Sequence, residues 1–397
     1  MKIKNIKARE ILDSRGYPTI EVSLETEDGV FVDSVPSGAS VGEREALELR
    51  DNDENRYFGR GVLNAISNIE NIIQNELKEK NITSQKELDD ILISLNKDKL
   101  GANAIMAVSL ASARALANKQ PLYNYIANIS SSEISIPSPC FNVINGGAHA
   151  KNDLAFQEFM VNFKGHNLKE QIRMGAETYH TINELLGGAN VGDEGGFGDG
   201  INSEEQALDL IVSATKKLGY FSDLNIFLDV AASEFYNGNS YILSKGNVLS
   251  KEELVDYYKE LCKTYPIKSI EDPFDENDFA GFKMLNQAML GELLIIGDDL
   301  TVTNIKSIKK AYDNDSINGL LVKINQIGTV SEAIEAVNLA RSYNYKIMVS
   351  HRSGETTDDF IADFAVGLGA DFIKAGAPAR GERVSKYNRL LKIKEEL

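Results

Sequence analysis

Cysteine, positive charge and long apolar runs are all in short supply in this sequence, and each shortage excludes something. There are two cysteines in 397 residues. Cys140 lies in an apolar stretch and Cys262 in a helical one, with no framework spacing. They exclude a disulfide scaffold and lead us to expect reduced thiols in a cytoplasmic protein. No CxxC, Walker or Rossmann pattern is present, which removes three familiar metal and nucleotide motifs. Lys and Arg total 42 against 59 Asp and Glu, a net charge of −17. That balance lacks the basic footprint of a nucleic-acid binder, so no nucleic-acid partner is expected. The most apolar helical stretch, from Ala102 to Ala117, is too short for a membrane span and carries Asn103 and Arg114. The segment MKIKNIKARE has no apolar signal core. No membrane association is expected.

What the chain does hold is an ordinary globular composition, 43% hydrophobic and 25% charged, so a large core is available. The length suits two or three domains, or one barrel with an addition. From residue 224 to 376, short apolar runs each end in one reactive residue. LNIFLDV carries Asp229, IKSIED carries Glu271 and LLIIGDD carries Asp298. GLLVKIN, YKIMVSHRS and DFIKAG follow with Lys323, His351 and Lys374. Successive positions differ by 42, 27, 25, 28 and 23, which is the room that a strand, a helix and two loops need. Runs of Val, Ile and Leu without alternation suit parallel strands buried on both faces. The expected fold class is α/β: a modified β/α (TIM-like) barrel with the reactive residues at the C-terminal strand ends. A single Asp or Lys at a strand end is usually a solvated cap. Six consecutive strands making the same choice is not surface decoration. Three carboxylates gathered with two lysines and a histidine need a divalent cation to offset their repulsion.

Before the barrel, YPTIEVSLET and VFVDSV alternate around Asp28-Gly29, a hairpin signal over residues 17–35. A loop of small residues, Pro36 to Gly42, follows and can bring backbone close to a ligand. Val62, Ile66, Ile69, Ile73 and Leu77 fall on one helical face. Ser84 with Glu87 forms a capping box. Residues 1–130 therefore read as an α+β capping domain, IANISSSEISIPSP as a linker, and 137–397 as the barrel domain carrying the active site. Within the barrel, CFNVI leads into a glycine turn with His149, and LAFQEFMV is a strand holding Gln157 and Glu158. NVGDEGGFGDG places Asp193 and Glu194 on a glycine-rich loop. His166 and His180 read as surface or packing histidines.

Taken together, these stretches resemble the enolase family, the glycolytic phosphopyruvate hydratases. The blocks that carry the resemblance are AREILDSRG, PSGAS-x-GEREALELRD, INGGAHA, QEFM, VGDEGGF, LDVAASEFY, SIEDPF, GDDLTVTN, NQIGT, SHRSGET and IKAGAPAR, in that order along the whole chain. The resemblance implies Mg²⁺-dependent, reversible dehydration of 2-phosphoglycerate to phosphoenolpyruvate. It implies two Mg²⁺ per site, the first held by Asp229, Glu271 and Asp298, the second by Ser40 once substrate is bound. Lys323 corresponds to the base and Glu194 to the acid. Glu158 and His149 line the pocket. His351, Arg352 and Ser353 contact substrate, the last two at phosphate, and Lys374 meets the substrate carboxylate. Lysine's reference pKa is about 10.4, so a base at Lys323 is expected to be depressed. The family assembles as homodimers, commonly further into octamers (tetramers of dimers). It is cytoplasmic, with a secondary cell-surface or secreted pool in some members.

The chain departs from the family pattern at Val41, Tyr17, Gly198-Asp199 and Ala375. It is also shortened near residues 80–100 and 236–246. Val41 and Ala375 each delete a hydroxyl near the chemistry. Alternative readings are a paralogue acting on a related phospho- or phosphono-substrate, and a surface-binding homologue without catalysis.

Overall fold

The computed structural model describes residues 1–38 and 42–397. Its N-terminal part is a three-stranded antiparallel sheet, β1 (Ile3–Leu12), β2 (Pro18–Thr26) and β3 (Val30–Ser34). The Asp28-Gly29 turn forms as expected, with Gly29 at a φ of 142° and its carbonyl accepting from Thr26 N at 2.9 Å. Strand β1 is not evident from the sequence pattern. Its polar residues alternate only loosely, and pairing with β2 over ten residues decides it. The helix Ala102–Ala117 packs on this sheet and is buried on nearly every face. Its alanines and serines let it lie close to its neighbours. The expected face from 62 to 77 forms a helix running through a π-turn at Ile69–Ile73. Ser84 caps the Gln85–Ser94 helix by accepting from Glu87 N, but the Glu87 carboxylate turns to Thr83 N and Oγ1 instead of closing the box. Residues Ile126–Ser130 of the expected linker complete the helix Leu122–Ser130, because Ile126 is fully buried.

The rest closes into a barrel. Its strands are β4 (Ser138–Asn145), β5 (Glu158–Phe163), β6 (Leu224–Asp229), β9 (Ile267–Glu271), β10 (Leu294–Gly297), β11 (Gly319–Val322), β12 (Lys346–Ser350) and β13 (Phe372–Lys374). A two-residue hairpin, β7 (Tyr241–Ile242) with β8 (Val248–Leu249), lies outside it. The barrel order is β10-β11-β12-β13-β4-β5-β6-β9. β5 runs antiparallel to both β4 and β6, and every other pairing is parallel.

The strand period of two then places the site. Cys140, Met160, Phe227, Ile296, Leu321 and Met348 form one cluster that plugs the barrel interior. Two residues towards the mouth on the same strands come Asn142, Glu158, Asp229, Asp298, Lys323 and Ser350, which therefore face the same interior. In the parallel strands the polar residue follows the apolar one. In β5 it precedes it, because an antiparallel strand begins where its neighbours end. That reversal explains why Glu158 opens its strand while Asp229 and Glu271 close theirs. The ladder pairs Glu158 with Asp229 and Asp229 with Glu271 directly.

Candidate active site

At the mouth, the Lys374 ammonium sits among three carboxylates. It lies 2.7 Å from Asp229 Oδ2, 2.9 Å from Glu271 Oε2 and 3.0 Å from Glu158 Oε1. Burial opposes that charge, but the surrounding Asp229, Glu158 and Glu271 hold the lysine well above its ordinary value. Glu158 and Glu271 are pushed up, chiefly by burial and then by neighbouring carboxylates. Lys323 pairs with Asp298 Oδ2. Burial works against its ammonium as well, yet Asp298 leaves it raised, where the sequence leads one to expect it depressed. The expectation assumed a dication and a second lysine dominating. Among the protein's own groups the nearest charge is the Asp298 carboxylate.

Opposite, Glu194 enters on its glycine loop. Its Oε2 accepts from Asn142 Nδ2 at 3.1 Å, and the imidazoles of His149 and His351 each stand 3.5 Å from one of its oxygens. Burial disfavours the Glu194 charge, but these two rings outweigh it and keep the carboxyl well below its usual range. His149 Nε2 meets Ser353 Oγ at 3.1 Å. Burial takes His351 down to about 4, against the pull of Glu194 and with the help of Arg383. Arg352 is clamped to Glu45, with Nη1 2.9 Å from Oε2 and Nη2 3.2 Å from Oε1, and donates to Asn325 Oδ1 at 3.0 Å.

The structure thus brings together His149, Glu158, Glu194, Asp229, Lys323, His351, Arg352, Ser353 and Lys374 around one space of about 20 Å³, with Gln157 and Ser350. That volume holds roughly one water. A vestibule of about 430 Å³ opens beside it and shares His149. Ser40, expected as a metal ligand, lies outside the described residues, as does Val41. Among the described residues, several buried polar atoms at the mouth have no hydrogen-bond partner: Asn142 Oδ1, Gln157 Oε1, Glu158 Oε2, His149 Nδ1 and His351 Nε2. Orphaned groups this concentrated mark a place prepared for a polar ligand.

The donor set suits a hard divalent cation. Glu158, Asp229, Glu271 and Asp298 offer four buried carboxylates against two ammonium groups, those of Lys323 and Lys374. Among the described residues, two groupings already hold their ligand atoms close together. His149, Glu158 and Glu194 have ligand atoms within 4.8 Å of one another, and so do Asp272, Asp298 and Asp299. Lys374 stands between Asp229 and Glu271, and Lys323 pairs with Asp298. Asp272 is engaged in the backbone, accepting from Asp298 N at 3.0 Å and Asp299 N at 2.6 Å.

Sequence reasoning missed the supports. Glu45 reaches Arg352 across 307 positions. Gln326 Nε2 donates to Asp298 Oδ1 at 2.8 Å. Thr303 donates to Gln326 Oε1 at 2.8 Å and accepts from Lys323 N at 3.0 Å. Val302 and Thr303 hold φ angles of 43° and 53°, uncommon for β-branched residues and typical of strain kept at a functional loop. The GDDLTVTN block contained that signal only as a run of β-branched residues in a turn.

Fold and site define a capped β/α-barrel enzyme that handles a small anionic substrate with acid–base groups and a divalent cation. The family model of the enolase C-terminal TIM barrel domain matches residues 133–397, and that of the enolase N-terminal domain matches residues 3–126. Enolase B of Dictyostelium discoideum is 51% identical over 424 residues, covering 100% of this chain and 95% of its own. The enolases of Methanosarcina barkeri and Methanocaldococcus jannaschii are 50% and 48% identical over 410 residues each, covering 100% of this chain and 95% and 96% of theirs. The chain belongs to the enolase family, the phosphopyruvate hydratases, which are carbon–oxygen lyases. Membership implies Mg²⁺ and a phosphorylated small-molecule substrate. Among the described residues, no helix is long and apolar enough to cross a membrane.

Proposed function

We propose that this chain interconverts 2-phosphoglycerate and phosphoenolpyruvate with the residues that ring its barrel mouth. The observation that carries the reading is the two-sided mouth: two lysines among carboxylates on one wall, and Glu194 between two imidazoles on the other. Asp229, Glu271 and Asp298 would hold the first Mg²⁺, and Ser40 a second that arrives with substrate. When bound, the metal supplies positive charge that makes a second negative charge on the substrate carboxylate accessible. A lysine or histidine base working beside one or two Mg²⁺ is a general property of the enolase superfamily, and this chain is read as one more instance of it.

Lys323 removes the α-proton, for which its ammonium must first part from Asp298 and lose a proton to solvent. Lys374 meets the substrate carboxylate. Arg352 and Ser353 bind the phosphate, for which Arg352 exchanges its Glu45 clamp for an equivalent fork of phosphate oxygens. Glu194 and Glu158 serve the departing 3-hydroxyl. Glu158 is raised and Glu194 lowered, so of the two carboxyls Glu158 carries the proton more readily before substrate enters. A dianionic phosphate nearby raises Glu194 and moves it towards the acid role. The chain assembles as a homodimer, with octamers of four dimers as the larger form, and works in the cytoplasm. Adding 2-phosphoglycerate and Mg²⁺ should produce the ultraviolet band of phosphoenolpyruvate. Silence in that assay with Mg²⁺ binding intact would overturn the reading.

A further inference from the structure

Arg383 is fully buried; its Nε stands 3.4 Å from Glu382 Oε1, and its two Nη atoms are spent on other partners. From the C-terminal helix Gly381–Glu396 its Nη1 donates to His351 Nδ1 at 2.6 Å and to the Arg352 carbonyl at 2.7 Å. Its Nη2 donates to the Ser353 carbonyl at 2.5 Å and the Asp193 carbonyl at 3.1 Å, and lies 3.4 Å from Ser14 Oγ. Space for its stem is reserved. A Cβ on Gly376, which has a φ of 80°, would come within 2.7 Å of Arg383 Cδ. A guanidinium has donors only and keeps its proton at any relevant pH. The atom it meets on His351 must therefore be the lone-pair nitrogen, and the ring proton must sit on Nε2. That atom is buried, has no hydrogen-bond partner among the described residues, and faces Glu194 Oε2 at 3.5 Å across the site.

We infer that Arg383 is a positioning residue that holds His351 as the neutral Nε2–H tautomer, so that this imidazole presents a fixed hydrogen-bond donor to the substrate and takes no part in proton transfer. The consequence rests on the assignment of His351 as a substrate contact; the tautomer itself does not. The charged groups facing the ring are Glu194 from the glycine loop, Glu355 from its own loop and Arg383 from the C-terminal helix. Glu355 is engaged with Lys386 at 2.9 Å. Burial and Arg383 together oppose an imidazolium, in line with a His351 value near 4. The same side chain ties the phosphate-binding loop to the Glu194 loop through the carbonyls of Arg352, Ser353 and Asp193. The geometry of both walls is thereby tied to one guanidinium.

Four histidines make the test direct. Nitrogen-15 labelling of histidine, with His351→Gln to assign the signal, reports tautomer and charge in the free protein. The expected spectrum shows His351 as neutral Nε2–H from pH 5.5 to 9, a range chosen for the experiment. An Nδ1–H ring, or an imidazolium at pH 7, overturns the inference from wild type alone, so it stays testable even if variants fail to fold. Arg383→Lys should keep the tautomer, since an ammonium is also donor-only. Arg383→Gln should release it, giving mixed tautomers and a titration back within the ordinary histidine range. In that variant kcat/KM should fall at least about tenfold, less than the roughly 10²–10³ lost when an active-site donor is removed outright, because part of the rings keep the Nε2–H form. It should also gain a pH dependence that wild type lacks. If Arg383→Gln loses activity while His351 stays Nε2–H, Arg383 is merely structural and the positioning role is wrong. If the tautomer is as stated but wild type does not turn over 2-phosphoglycerate, the functional reading falls and the tautomer stands.

Discussion

Lys323 is the residue on which the proposed chemistry turns. Its ammonium is buried against Asp298, so the free protein holds it in the wrong protonation state for a base. Truncating it removes the only group proposed to take the α-proton. Lys323→Ala should therefore abolish exchange of that proton with solvent while substrate and Mg²⁺ still bind. Exchange persisting above roughly a hundredth of the wild-type rate would assign the base elsewhere, since positioned bases contribute about 10²–10⁴. Asp298 has a second duty, because Gln326 and Lys323 both donate to it. Asp298→Asn keeps its size but removes one charge from the carboxylate shell, and should weaken Mg²⁺ binding. A calorimetric titration of Mg²⁺ that does not change would rule it out as a ligand.

Among the elements, the helix Val330–Ser342 follows the short turn carrying Asn325 and Gln326, and the capping part of the chain holds its start. Val330 N donates to Ser109 Oγ at 3.0 Å and Ser331 N donates to Asp89 Oδ2 at 2.9 Å. Thr329 supplies the third cap, accepting from Glu332 N at 3.2 Å. A carboxylate at a helix N-terminus is favourable, but Asp89 is fully buried. Burial outweighs its hydrogen bonds and raises it from 3.8 to about 6. In the window between those values the folded state holds a proton that the unfolded chain has lost. Stability from Asp89 is thus complete below pH 3.8 and is lost as pH rises through about 6. The stability of wild type relative to Asp89→Asn should fall by an amount on the order of 2–3 kcal/mol from pH 4 to 7. Urea midpoints of both proteins at several pH values read this out. A pH-independent difference would show that Asp89 is not raised.

Over the whole molecule, the two parts are joined by half-buried polar contacts rather than by a loose tether. Arg114 reaches from the Ala102–Ala117 helix to Asp33 on β3 at 2.6 Å and to Asp358 beyond β12 at 2.9 Å. Lys97 donates to the Ile327 carbonyl at 2.7 Å and to Glu332 at 2.6 Å. Separating the parts would break these pairs and expose the single apolar core cluster that runs through both. Calorimetry should show one cooperative unfolding transition, and two resolved transitions would contradict this joint. Mg²⁺ binding to the folded state alone should move that transition upward, by about 2.7 kcal/mol of stability at 100 times its dissociation constant. Glu271→Gln should lose most of the shift.

The sequence alone determined the barrel and most of its reactive ring. Asp229, Glu271, Asp298, Lys323 and Lys374 each end or follow a run of buried β-branched and apolar residues, a local pattern set by strand period and burial. His149 and Glu194 were legible through the resemblance and the glycine turns around them. Only the tertiary structure decided the reversal of β5, which brings Glu158 beside Asp229, because strand direction depends on pairing and not on composition. Only it could show Glu45 on Arg352, Asp89 on the Val330–Ser342 helix, and Arg383 on His351. These contacts join residues 307, 242 and 32 positions apart. No periodicity spans such separations. Their partners meet because the closed barrel and the capping sheet leave each side chain one buried place to satisfy its polar atoms.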